Sequence, residues 1–340
     1  MDFPLTTGAS IFSIAASGPA RRRAGRRSRP HAWRALAGPW ARADTVGLIV
    51  GCGGRKPSIL RRMTSIVVPA HNEAAVVGRL LDGLLRGARV GELEVVVVCN
   101  GCTDGTATVA RRAGVVVLET PVPSKTAALR FGDSACTSFP RLYVDADVEL
   151  DVAGVRALAA ALHGPVLAAV PERHLVLTGR PWAVRAYYRV WEQLPTVREG
   201  LFGRGVLALS EEGHSLVAGL PDVTADDLWV HHAFRAEQTA VVSAAVVSVH
   251  APRRLADLLR RRLRVVAGAR EVRSHAGSGP GTSGTRATDL VALLRARPDL
   301  LPELAVFAGV TVVARAAAAR AARRGTSTLW LRDDSSRAPG

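Results

Sequence analysis

Aromatic side chains make up only 5% of this 340-residue chain. A protein that reads single-stranded nucleic acid by stacking needs ring faces, so no nucleic-acid partner is expected despite the basic charge. Cysteine is also scarce, with Cys52, Cys99, Cys102 and Cys136 alone. Four thiols do not staple a chain of this length into a disulfide scaffold, and they are compatible with a reducing cytoplasm. Cys99 and Cys102 have a spacing that can hold zinc or exchange thiols. No second cysteine pair or nearby histidine pair completes such a site, which favours a turn filled by small residues. No apolar run reaches the roughly 18–20 residues needed to cross a bilayer. The longest C-terminal one, Leu304 to Ala314, is bounded by Glu303 and Arg315 and reads as a packed or interfacial helix.

Acidic residues are few, 29 against 45 lysines and arginines, and the imbalance is uneven. Residues 1–62 hold twelve basic residues against Asp2 and Asp44, which is +10 of the net +16. This stretch has no apolar periodicity and is expected to be a disordered basic N-terminal extension. A plain tail, or sequence ahead of a start at Met63, is preferred over an arm that touches anionic lipid or nucleic acid. The apolar Ile11 to Ala16 precedes the arginines, the reverse of a secretory signal. The stretch 275–287 is rich in glycine and serine and reads as a linker. Beyond it, 288–340 is expected to form a C-terminal helical segment and tail. The arginine-rich end of that segment is either a solvated helix end or a contact with anionic membrane.

Between these lies an alternation of strands and helices. Ser65 to Pro69 is a β-branched run, and Ala74 to Leu85 follows with apolar residues at helical spacing. Leu93 to Val98, Val115 to Leu118 and Leu142 to Val144 read as further strands, with helices at 108–113 and 125–133. Alternation of this kind predicts an α/β fold, a mostly parallel sheet flanked by helices. Ligands of such sheets bind outside the carboxyl ends of the strands. The polar turns at Asn72-Glu73, Asn100 and Asp145-Ala146-Asp147 each follow a strand and are expected to share one crevice. Two carboxylates one residue apart suit a hard divalent cation, which takes oxygen ligands and completes its shell with substrate phosphates.

Six segments together carry a family resemblance: SIVVPAHNEAAVVGRLLDGLL (65–85), VVVVCNGCTDGTATVARR (95–112), SKTAALRFGD (124–133), RLYVDADVEL (141–150), GLFGRGVLALS (200–210) and ADDLWVHHAF (225–234). Over residues 63–274 the chain resembles the family 2 glycosyltransferases, of GT-A fold. The resemblance implies a cytoplasmic enzyme that moves a sugar from a nucleotide-diphosphate donor to an acceptor hydroxyl with inversion, assisted by manganese or magnesium. It implies that Pro69, Ala70, Asn72 and Glu73 border the nucleoside, with Glu73 near the ribose. Asn72 could instead cap the helix that follows. Many members carry two acidic residues where this chain has Cys99 and Asn100, which leaves the base open. Asn100 can still accept from a base N–H through its amide oxygen.

Lys125 is a candidate phosphate contact or a solvated lysine. Asp147 is the main metal ligand, with Asp145 assisting. Asp227 matches the family's catalytic base, beside Asp226, where glutamate is commoner. Gly203, Arg204 and Gly205, between the two acidic sites, suggest acceptor binding or the sugar pocket, because glycine lets backbone approach a ligand. Trp191 and Trp229 are candidates for sugar stacking or core, and His250 for a third metal ligand. Among Arg260, Arg261, Arg262 and Arg264, one is a candidate diphosphate clamp. Neither the tryptophan motif nor the membrane helices of processive members is present, so a single addition is expected. The acceptor is unassigned; a lipid-linked one would bring peripheral contact with the inner face of the membrane. Two other classes compete. A nucleotidyltransferase would need a glycine-rich, lysine-bearing triphosphate loop after Val68, and none follows. A non-catalytic nucleotide-sugar-binding protein would have no reason to keep Asp145, Asp147 and Asp227.

Overall fold

The computed structural model describes residues 63–217, 233–276 and 287–323, with side chains omitted for 270–276. The expectations for the extension 1–62, for Asp226, Asp227 and Trp229, for linker residues 277–286 and for the tail from 324 lie outside the described residues.

Seven strands form one sheet in the order β3-β2-β1-β4-β6-β5-β7. They are β1 (Thr64–Ala70), β2 (Leu93–Asn100), β3 (Val116–Thr120), β4 (Arg141–Val144), β5 (Ala168–Val176), β6 (Val206–Leu209) and β7 (Thr239–His250). The first four are parallel, β6 runs antiparallel to both β4 and β5, and β5 and β7 are parallel. This is the mostly parallel α/β sheet that the alternation predicted. β1 is buried at every residue, which is why it reads as an unbroken apolar run rather than an alternating one.

The helices are α1 (Val77–Leu85), α2 (Thr106–Arg112), α3 (Lys125–Ala135), α4 (Val152–Ala161), α5 (Trp182–Trp191), α6 (Pro195–Glu199), α7 (Glu211–Val217), α8 (Leu255–Ala276), α9 (Ala287–Ala296) and α10 (Leu301–Arg323). α1 begins three residues later than its periodicity suggested. Its N-cap position is Val76, which carries no side-chain cap. α3 matters most for the site. Its N-cap Ser124 accepts from the Ala127 amide at 3.2 Å, and Gly132 lets it press onto the sheet. A Cβ at Gly132 would stand 2.5 Å from Val67 Cγ1 and 2.9 Å from Val98 Cγ2. The far end of α3 is pinned by Asp133, which accepts from Tyr143 Oη at 2.8 Å and pairs with buried Arg141 of β4. His214 of α7 reaches the other Asp133 oxygen at 2.9 Å. Close packing and an ion pair thus fix the helix whose first residue is Lys125.

The C-terminal helices join the same core instead of standing apart. Leu300, Leu304, Phe307 and Val310 belong to the main apolar cluster, and Phe307 stacks on Tyr187 of α5 with ring centroids 5.0 Å apart. α8 runs through Ala276, so the first two residues expected in the linker are helical. The expectation about membrane-length segments needs correcting. The stretch Pro298–Arg323 is long and apolar enough to cross a membrane by length and composition, a measure that core helices also meet. The helix continues past Glu303 and Arg315, the two charges that bounded the apolar run in sequence.

Candidate active site

β2, β1 and β4 are adjacent and parallel, so their carboxyl ends lie side by side. Ala70 is in register with Cys99, and Val67 with Tyr143. The turns carrying Asn72-Glu73, Asn100 and Asp145-Asp147 therefore leave the same edge of the sheet, as the strand pattern predicted.

The first two turns are knitted together. Asn72 has a positive φ of 52°, and its side-chain oxygen accepts from the Thr103 amide at 2.7 Å. This corrects the capping alternative: the carboxamide crosses to the β2–α2 loop and does not serve α1. Its own amide donates to Cys102 Sγ at 3.3 Å. Glu73 donates its backbone N–H to Thr106 Oγ1 at 2.8 Å, and its side chain is only 5% exposed. Asp104 accepts from the amides of Ala74 and Thr106 at 3.1 and 3.0 Å. Burial alone would raise the Asp104 pKa, yet the Thr106 hydroxyl, followed by these amides, holds it below the ordinary value. Asp104 thus ties the two turns together.

Asn100 is 2% exposed. Its Nδ2 donates to the carbonyl of Ala70 at 2.9 Å, which fixes the orientation of the amide. Its Oδ1 is buried with no hydrogen-bond partner among the described residues. A buried acceptor left unmatched is costly, and sites that read a ligand N–H are built this way. Cys99 and Cys102 are free thiols. Burial, followed by the neighbouring Cys102, pushes the Cys99 thiol up to about 12, which suits a packed and unreactive group. Among the described residues no group of three or more histidine, cysteine or carboxylate side chains gathers as a metal cluster, at the cysteines or at the Asp145-Asp147 turn.

The third turn meets the glycine loop. β4 and β6 pair with Val144 opposite Val206, and one step further the Asp145 amide donates to the Gly205 carbonyl at 2.7 Å. Lys125 Nζ lies 2.9 Å from Asp145 Oδ1. Lys125 is thus a half-exposed ammonium paired with the first aspartate of the two, with both side chains open to solvent. Asp147 follows in the same turn, between the buried Ala146 and Val148. The two carboxylates suit a hard divalent cation that completes its shell with water and phosphate, and the Lys125 ammonium competes with such a cation for Asp145.

Gly205 has φ +69°, and a Cβ there would stand 2.5 Å from Val148 Cγ1. Gly205→Ala should destabilise the fold by about 2–4 kcal/mol, from left-handed strain plus overpacking. Chemical denaturation with an unchanged m-value would measure it.

Gly203 and Arg204 have different parts. The Arg204 guanidinium is 3% exposed and donates to the carbonyls of Gly200, Pro171 and Arg198 at 3.1, 2.9 and 2.7 Å. It braces the loop from within. Arg173 of β5, which the sequence reading did not single out, donates to the Gly203 carbonyl at 3.1 Å and lies 4.2 Å from the Trp191 ring. Burial, then the nearby Arg204, lowers the Arg173 pKa to about 10. Nothing in the sequence marked it, because an arginine inside a strand has no motif. Trp191 is thereby a partner of Arg173 and of Tyr188, whose ring it meets edge-on at 5.5 Å.

His250 bonds Glu149 at 2.8 Å, and Arg79 of α1 joins the same oxygen at 3.1 Å. Arg260 pairs with Asp257 at 2.6 Å, and Arg262 lies 5.9 Å from the Tyr187 ring.

Residues 65–208 match a family model described as Glycosyl transferase family 2. A search of curated protein sequences finds no match. Among solved structures, the chain is similar to a mannosyltransferase from Pyrobaculum calidifontis in complex with GDP-Man and Mn2+, at 22% identity and a TM-score of 0.51, covering 79% of this chain and 77% of that one. It is also similar to glucosyl-3-phosphoglycerate synthase from Mycobacterium tuberculosis in complex with Mn2+ and UDP-glucose, at 22% identity and a TM-score of 0.48, covering 65% and 81%. The first similarity shows a shared fold.

Proposed function

We propose that this chain transfers one sugar from a nucleotide-diphosphate donor to an acceptor hydroxyl, with inversion at the anomeric carbon, a reading supported by the match of residues 65–208 to the Glycosyl transferase family 2 model. The observation that carries the reading is the pairing of Lys125 with Asp145 at the carboxyl end of β4, beside the turns that hold Asn72, Glu73 and Asn100.

The donor lies across the ends of β1, β2 and β4. Pro69, Ala70 and Asn72 shape the wall against the nucleoside, and Glu73 accepts from ribose hydroxyls. Asn100 Oδ1 takes an N–H of the base, which is the partner it lacks among the described residues. Asp145 and Asp147 hold manganese or magnesium. When bound, the cation offsets the negative charge that grows on the departing nucleoside diphosphate. Lys125 adds a point charge to the same phosphates. Backbone at Gly203 and Gly205 lines the acceptor side, braced by Arg204 and Arg173. Asp227 takes the acceptor hydroxyl's proton as its oxygen attacks, and Asp226 supports it. The enzyme is cytoplasmic in this reading. A relative of similar fold is described with GDP-Man, so a hexose donor is the first to test.

The test is thermal denaturation with a panel of nucleoside diphosphates and sugar nucleotides, with and without manganese. A ligand of the folded state raises the midpoint by mass action. One sugar nucleotide should stand out, should release its sugar slowly to water with manganese, and should do so without pyrophosphate. No shift with any of them would sink the reading. Lys125→Gln should raise the donor KM about tenfold, the size expected for one charge-assisted phosphate contact. Steady-state kinetics against donor concentration would check it.

A further inference from the structure

α10 is apolar on both sides. Its inward side, with Leu304, Phe307, Val310, Ala314 and Ala318, is buried against the domain. Its outward stripe runs through Leu301, Ala305, Ala308, Val312, Val313 and Ala316, all exposed, with Val312 and Val313 at 64% and 52%. Leu301, Ala305, Ala308, Val312 and Ala316 recur every three or four residues, with Val313 flanking them, so they share one side of the helix. The stripe is about 22 Å long at 1.5 Å per residue, and no charged residue interrupts the exposed surface between Leu301 and Ala314. A helix that is hydrophobic all round belongs in a core or against lipid, and this one has protein on one side only among the described residues.

Charge identifies the occupant. The stripe ends in Arg315, Arg320 and Arg323, all exposed. No carboxylate follows Glu303 on α10, so nothing later on the helix offsets these three arginines. A second copy laid on this surface would bring like charges together, whereas anionic headgroups complement them. Arginines at the end of an apolar stripe can keep their stems in the acyl boundary and their guanidinium groups among phosphates. We propose that the outward stripe of α10 docks the protein on a bilayer containing anionic phospholipid, with the helix lying in the membrane plane. It does not cross, because Phe307 stacks on Tyr187 and ties the opposite side to α5. The proposal rests on this helix alone and holds whatever the sugar donor is.

The test is co-sedimentation of the full chain with vesicles of phosphatidylglycerol and phosphatidylcholine, against phosphatidylcholine alone. The wild type should sediment with the anionic vesicles and remain in solution with the neutral ones. Val312→Asp with Val313→Asp should weaken binding at least tenfold at an unchanged melting temperature. Val312→Ser with Val313→Ser is the milder pair if the first fails to fold, and Arg320→Gln with Arg323→Gln should weaken binding and flatten its salt dependence. Vesicle binding that survives both valine pairs comes from elsewhere and overturns the proposal. So does a wild type that ignores anionic vesicles, including one that forms a dimer dissolved by the valine substitutions.

Discussion

Asp147→Ala should remove sugar transfer to below about one part in 10²–10³ of the wild-type rate, the loss seen when a group that stabilises transition-state charge is deleted. The departing nucleoside diphosphate gains negative charge as the glycosidic bond breaks. In the proposed mechanism Asp147 contributes the main carboxylate that holds a cation there. Asp145 alone cannot replace it, because Lys125 already lies 2.9 Å from Asp145 and opposes a cation by like charge. The fold should survive the change. Asp147 sits in a turn whose neighbours Ala146, Val148 and Leu150 are the buried anchors, so the melting temperature without ligand should stay near that of the wild type. What should vanish is the manganese-dependent part of the thermal shift given by the donor. Chelation of the metal from the wild-type protein should produce the same loss, and added manganese should restore the wild type but not the variant. A variant that turned over at the full rate would remove Asp147 from the reaction.

Asp227→Asn should lower turnover by about 10²–10⁴-fold, the range for loss of a general base, with a different signature. The variant keeps the shape of the side chain and loses its capacity to take a proton. Donor binding and the manganese-dependent thermal shift should therefore be retained, and the donor KM should change little. The two substitutions divide the chemistry between leaving group and nucleophile. Asp147→Ala weakens donor engagement and catalysis together, whereas Asp227→Asn leaves a donor-loaded enzyme that cannot activate the acceptor. Full transfer by the Asp227→Asn variant would reassign the base.

Much of the donor side could be read from residue order. Central parallel strands are buried on both faces, so Ile66-Val67-Val68 and Val95-Val96-Val97-Val98 announce themselves by composition. Polar residues that follow such strands must lie at the ligand edge, which brought out Asn72, Asn100 and Asp145 without coordinates. The helix bounds were less legible because they depend on caps that packing selects. Asn72 looked like the cap of α1, yet its carboxamide serves Thr103 thirty-one positions away. Periodicity carries no information about a partner at that distance. Arg204 shows the same limit from the other side. Beside two glycines it suggested ligand contact, and its guanidinium is occupied by the nearby carbonyls of Arg198 and Gly200 and by that of Pro171, thirty-three positions away.

The sequence by itself determined the sheet class, the edge of the sheet where the polar turns gather and the chemical types found there, because strand burial and turn polarity are local properties of composition. Only the tertiary structure decided which groups meet. It set Lys125 against Asp145, left Asn100 Oδ1 without a partner among the described residues, put Arg173 under Gly203, and gave α10 one covered side and one bare one. Each of those depends on how separate elements stack. Stacking is fixed by close contacts such as Gly132 on Val67 and Phe307 on Tyr187, which join residues that no local pattern relates.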